Sequence, residues 1–130
     1  MKNLLTIFVI FLCALQFWGC DETITGSPNV DVISNVRFVI TDTWAESDKL
    51  VATGTIENTG NRTIAPPFYV EGQFYSDARY RLKLGGDDYR ISFSLEPREI
   101  AVWRLEFSSS EINESLYADF AVKNLRAYWK

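Results

Sequence analysis

The groups in this 130-residue chain able to move protons or hold cations are nearly all carboxylates. There is no histidine. That excludes a Ser-His-Asp triad, a Cys-His pair and any His-ligated zinc or iron site. Both cysteines, Cys13 and Cys20, fall in the first twenty residues, so no thiol beyond them can act as nucleophile or ligand. Gly85-Gly86 lacks the lysine and following helix of a phosphate loop. Glu57, Glu71, Glu96, Glu99 and Glu106 are the remaining acid–base groups. A glycosidase needs two carboxyls facing each other across a cleft. Glu57 and Glu71 instead alternate with apolar residues, as on a solvated sheet face. Asp87-Asp88 offers oxygen ligands of the kind calcium takes, but tight turns favour Asp and Gly for backbone reasons alone. The expectation is a protein with no catalytic residue, no metal and no cofactor, and not an enzyme.

Binding chemistry falls to the aromatic residues, which make up 15% of the chain. An exposed indole or phenol ring can stack on a sugar or anchor a protein partner. Trp44 lies in the polar stretch Thr41–Lys49, which reads as a loop. Tyr69 and Tyr75 alternate with Phe68, Val70 and Phe74 and belong to the opposite face of their strand. Trp129 closes the chain beside Tyr128, and one of the two must point outward. Trp44, Tyr69, Tyr75 and Trp129 are therefore the candidate contact residues. Tyr89, Phe93, Trp103 and Phe107 read as core by the same alternation.

The elements that must carry these residues begin after a targeting segment. Lys2 precedes an almost wholly apolar run of 15 residues, Leu4–Trp18, followed by Asp21 and Glu22. A membrane span needs about 20 apolar residues, so the run fits a signal-peptide core better. Gly19-Cys20 directly after it resembles the lipobox of bacterial lipoproteins. Phe17 and Trp18 stand where the usual box has leucine and a small residue. The resemblance implies removal of residues 1–19, thioether acylation of Cys20 and acylation of the new amine. Several acyl chains hold a protein on a bilayer where one does so only marginally. An uncleaved anchor and plain secretion are the alternatives. Residues 20–29, with Gly26 and Pro28, read as the lipidated cysteine and a flexible tether. Asp21 and Glu22 resemble sorting signals of some lipoproteins, but they read first as part of a solvated tether.

Removing residues 1–19 takes the formal charge from −4 to −5, since only Lys2 leaves. With no basic run, the chain lacks the footprint of a nucleic-acid binder. The remaining 111 residues suffice for one domain, 30–130, which must hold together without a disulfide.

That domain alternates with period two. Val32, Ser34, Val36, Phe38 and Ile40 form one face of a first strand. Leu50–Asn58 makes a second, ended by the turn Asn58-Thr59-Gly60-Asn61. Phe68–Tyr75 is a third. Arg79–Leu84 is a fourth, with Tyr80, Leu82 and Leu84 inward. Gly85-Gly86-Asp87-Asp88 reads as the hairpin turn leading to a fifth, Tyr89–Leu95. A sixth strand carries Ala101, Trp103, Leu105 and Phe107. Ser108–Ser115 reads as a short helical turn capped by Ser110. The last strand, Asp119–Trp129, breaks its pattern at Lys123-Asn124, the mark of a bulge. Seven short strands predict an all-β, immunoglobulin-like two-sheet antiparallel sandwich.

Three segments carry a family resemblance. Gly54-Thr55-Ile56-Glu57-Asn58-Thr59-Gly60 is similar to a strand ending in an Asn turn. Phe74-Tyr75-Ser76-Asp77 is similar to a naming motif, with Gly72 at its phenylalanine position and Ser76 at its aspartate position. Leu95-Glu96-Pro97-Arg98-Glu99 is similar to a Leu-x-Pro turn. Together they resemble the FxLYD domain family, small immunoglobulin-like sandwiches of secreted and lipid-anchored prokaryotic proteins. The resemblance implies a fold and an extracytoplasmic setting and transfers no active site. The expected function is a membrane-anchored cell-envelope lipoprotein, periplasmic or surface-exposed, that binds another envelope protein. Glycan binding through the exposed aromatics is the alternative.

Overall fold

The computed structural model describes residues 30–110, 112 and 116–130. The expected signal segment, Cys20 and the expected tether lie outside the described residues, as does half of the Ser108–Ser115 turn. Of that turn, the Ile112 N–H donates to the Ser109 carbonyl at 3.1 Å.

Seven strands form: β1 (Asp31–Ile33), β2 (Val36–Glu46), β3 (Lys49–Asn58), β4 (Phe68–Tyr75), β5 (Lys83–Ile91), β6 (Ile100–Ser108) and β7 (Ala121–Trp129). They make a four-stranded sheet in the order β1-β7-β4-β5 and a three-stranded sheet in the order β2-β3-β6, every pairing antiparallel. The chain crosses between sheets from β1 to β2, from β3 to β4, from β5 to β6 and from β6 to β7. With β3 beside β6 in one sheet and β4 beside β7 in the other, this is the crossing of immunoglobulin-like sandwiches.

The inner faces follow from alternation. On β4, Phe68, Val70 and Phe74 are fully buried, while Tyr69, Glu71, Gln73 and Tyr75 are half-buried on the outer face. On β6, Ala101, Trp103 and Leu105 point inward. Leu50, Ala52 and Ile56 of β3 complete the opposite wall. The sheets are also joined at one side, where the Glu106 N–H donates to Asp87 Oδ2 at 2.7 Å.

Five expectations are corrected. The run Val32–Ile40 is two strands in different sheets, because Asn35 at φ 58° turns the chain from one sheet to the other. Ile33 is therefore core and Val32 is exposed. Arg79–Leu84 is not a strand of its own: only Lys83 and Leu84 are extended, as the start of β5, while Asp77 Oδ1 accepts the Arg79 N–H at 2.9 Å, Tyr80 takes φ 55°, and Tyr80 and Leu82 are exposed. The hairpin connection is thus residues 76–82, and Gly85-Gly86-Asp87-Asp88 runs through the middle of β5. Gly85 is there for space, since a Cβ would meet the Phe107 ring at 2.4 Å. Tyr89 and Phe93 are exposed rather than core, as β5 ends at Ile91 and Leu95 reaches the interior through its bridge with Ile64. Trp44 lies on β2, not in a loop, opposite Val51. The expected bulge in β7 is present, with Asn124 at φ 58° as the extra residue between Lys123 and Arg126.

Candidate functional site

The five glutamates that could have formed an acid–base pair are dispersed and engaged. Glu57 pairs with Arg37 and Glu71 with Arg126. Glu96 accepts from the Thr63 hydroxyl, and Glu99 accepts from the Glu96 N–H at 3.1 Å. Glu106 accepts from Arg104 at 2.7 Å. That bond, aided by Lys49 and opposed by slight burial, holds the Glu106 carboxyl below its ordinary value. Among the described residues, no three acidic, His or Cys side chains are placed to hold a metal ion.

The four aromatic candidates do not gather at one place. Trp44 lies on the outer face of the three-stranded sheet. Its indole N–H donates to Glu46 Oε1 at 2.7 Å, and the Arg104 guanidinium sits 5.4 Å from the ring centroid. Val51, its register partner on that face, is fully buried. Trp129 packs against the core edge and donates its N–H to the Ala65 carbonyl at 2.9 Å. Tyr69 and Tyr75 share the outer face of β4, six residues and so about 20 Å apart. Tyr75 meets Tyr80 edge-on at 5.3 Å and accepts a hydrogen bond from Asn124 at 3.2 Å.

Around Tyr69 the four-stranded sheet presents an ordered polar-aromatic surface. Tyr69 stacks on Tyr128, its register partner, with centroids 5.6 Å apart. Lys130 Nζ lies 4.0 Å from the Tyr69 centroid and 3.0 Å from Asp88. The Tyr128 hydroxyl donates to Asp88 at 2.8 Å. Burial works to raise the Asp88 carboxyl, but the bonds from Lys130 and Tyr128 outweigh it and hold it below its ordinary value. Burial, then the bond to Asp88, pushes the Tyr128 phenol well above its ordinary value. Beside this lies a shallow depression of about 340 Å³, lined by Glu71, Gln73, Gly86, Asp87 and Asp88.

The outer face of the three-stranded sheet is different in kind. Val39, Thr55 and Val102 stand in one register row across β2, β3 and β6, and Ile100 lies in the next row beside the Arg37–Glu57 pair. Val102 is 71% exposed, Ile100 60% and Val39 47%. Adjacent strands are about 4.8 Å apart, so the row is about 10 Å wide. It is uncharged, bounded by Arg37–Glu57 on one side and by Asp42 and Arg104 on the other. The alternation that buries Ala101 and Trp103 already turns Ile100 and Val102 outward, and apolar side chains at outward positions were the available signal. Comparison with protein-family models, with curated proteins and with solved structures finds no match.

Proposed function

We propose that the protein is a non-enzymatic, lipid-anchored protein of the cell envelope that holds another envelope protein against the outer face of β2-β3-β6. The exposed row Val39–Thr55–Val102, with Ile100, carries this reading. An exposed apolar patch free of charge, with charged groups at its rim, suits the buried centre of an interface. The lipobox-like Gly19-Cys20 supports an acylated anchor, and the FxLYD-like segments support an extracytoplasmic setting. Residues 20–29 span at most about 35 Å, so the domain would work close to the bilayer.

The anchor is tested by acyl labelling and by crosslinking in native membranes, comparing wild type with Cys20→Ser. Loss of label together with loss of one enriched polypeptide supports the reading. Label retained in Cys20→Ser removes the anchor from it.

Glycan binding is the second reading, favoured by the Tyr69–Tyr128 stack beside the Gln73-Gly86-Asp88 depression. An aromatic face bordered by amide and carboxylate groups suits a sugar ring and its hydroxyls. Lys130, whose side chain is 53% exposed, would have to leave the Tyr69 face. Titration with envelope polysaccharides while following tryptophan fluorescence tests it, and no response in wild type or in Lys130→Ala counts against it.

A further inference from the structure

We propose that β2 pairs edge to edge with β2 of a second copy, joining two three-stranded sheets into one six-stranded sheet. Among the described residues β2 pairs with β3 alone, so its other edge is open along eleven residues, apart from the Thr43 N–H, which donates to Asp42 Oδ1 at 2.9 Å and must be released for a partner strand. Such an edge is a template for another strand unless something blocks it. Val39 and Ile40, exposed at 47% and 39%, sit at its centre.

The bulge decides which register is open. The pairing of β2 with β3 slips by one residue between Ile40 and Asp42. Arg37, Val39, Asp42, Trp44 and Glu46 therefore lie outward, and Val36, Phe38, Ile40, Thr43 and Ala45 lie on the core side. An antiparallel two-fold pair must set same-face residues opposite each other. One register does so along the whole strand. It places Arg37 opposite the partner's Glu46, Val39 opposite the partner's Trp44, Phe38 opposite the partner's Ala45 and Ile40 opposite the partner's Thr43. Symmetry repeats each contact.

A bulge in an edge strand usually bars pairing by throwing the faces out of step. Here Thr41 and Asp42 flank the two-fold axis, so each copy's bulge meets the other's and the faces stay in step on both sides. Without the extra residue, Arg37 and Glu46 would lie on opposite faces, being nine positions apart. The charged residues of the strand are Arg37, Asp42 and Glu46; this register sets Arg37 opposite Glu46 and brings only the two Asp42 side chains, beside the axis, near a like charge. Two Arg–Glu pairs close its ends, and opposite charges directly across a ladder favour pairing. Arg37 already holds Glu57, and Glu46 already lies by Lys49, so each new pair extends an existing group of alternating charge.

The test uses the full chain in native membranes, with Arg37→Cys and Glu46→Cys copies carrying different tags. Opposed Cβ atoms in a ladder come close enough for a disulfide. Mild oxidation of the co-expressed pair is expected to give a mixed dimer well above the level of the untouched chain. Either variant expressed alone is expected to give no more than that level, because identical positions lie about 30 Å apart. A second arm measures co-recovery of two tagged copies. Arg37→Glu should reduce it about tenfold, and the double variant R37E/E46R should restore it. No mixed disulfide above background overturns the proposal. A dimer from either single cysteine variant, or equal co-recovery across the charge variants, overturns it too.

Discussion

The side-chain amide of Asn58 donates to the carbonyl of Leu95 at 2.9 Å, joining residues 37 positions apart in the chain. The same amide reaches the Arg62 carbonyl at 2.7 Å, and Asn58 Oδ1 accepts the Gly60 N–H at 3.0 Å. Asn58 is 1% exposed, so no water replaces these bonds if the side chain is lost. Its backbone is held as well, by Glu99 and Arg98. One residue thus fastens the loop after β3 to the turn before β6.

Asn58→Ala should destabilise the domain by about 2 kcal/mol, because it removes three hydrogen bonds made by one buried side chain. Asn58→Asp should cost a similar amount, since a carboxylate cannot donate. Urea unfolding checks both, with Thr55→Ala on the sheet surface expected to stay within about 0.5 kcal/mol of wild type.

Asp88 and Tyr128 predict two pH effects of opposite sign. The folded Asp88 carboxyl lies below its ordinary value of 3.8. It therefore adds stability above that value, lost as pH falls through the depressed folded pKa. Asp88→Asn should flatten the acid limb of the stability curve. The folded Tyr128 phenol lies above its ordinary value of 10.0, so its contribution is present below pH 10 and lost as pH rises further. Alkaline absorbance titration should show one of the six tyrosines ionising only as the domain unfolds. Tyr128→Phe should abolish that late step.

The glycines of β5 separate space from turn geometry. A Cβ at Gly85 meets the Phe107 ring, whereas one at Gly86 meets only the end of the Gln73 side chain, at 2.8 Å. Gly85→Ala should cost about 2 kcal/mol or more by overpacking. Gly86→Ala should be close to neutral. Thermal unfolding of the two variants checks this, and a hairpin turn at these residues would instead make both costly.

These positions also mark where the sequence could and could not be read. Strand β4 was plain, because Phe68, Val70, Gly72 and Phe74 keep strict period two against Tyr69, Glu71, Gln73 and Tyr75. The β7 bulge was plain because Lys123-Asn124 breaks that period. The switch of sheets at Asn35 was hidden, since apolar alternation continues through it and no glycine or proline marks the left-handed residue. Gly85-Gly86 misled for the converse reason. Glycine before Asp is turn chemistry locally, and only the distant Phe107 makes Gly85 a matter of packing. Trp44 was misplaced because Thr41–Lys49 is polar, while β2 as an edge strand has little apolar pattern to show. Alternation and polar surroundings mark Trp44, Tyr69, Tyr75 and Trp129 as outward-facing rings. Sequence could not show that both indole N–H groups are taken up within the domain.

The interaction reading turns on the row Val39–Thr55–Val102. The most direct measurement is crosslinked affinity recovery from native membranes of the tagged wild type and of I100E/V102E. Both positions are largely exposed, so the variant should unfold at the same urea concentration as wild type. Wild type should enrich one envelope polypeptide, and the variant should lose it at least tenfold, as charge buried without a partner disrupts an interface. Equal recovery of the same polypeptide by both forms would contradict the assignment of this face.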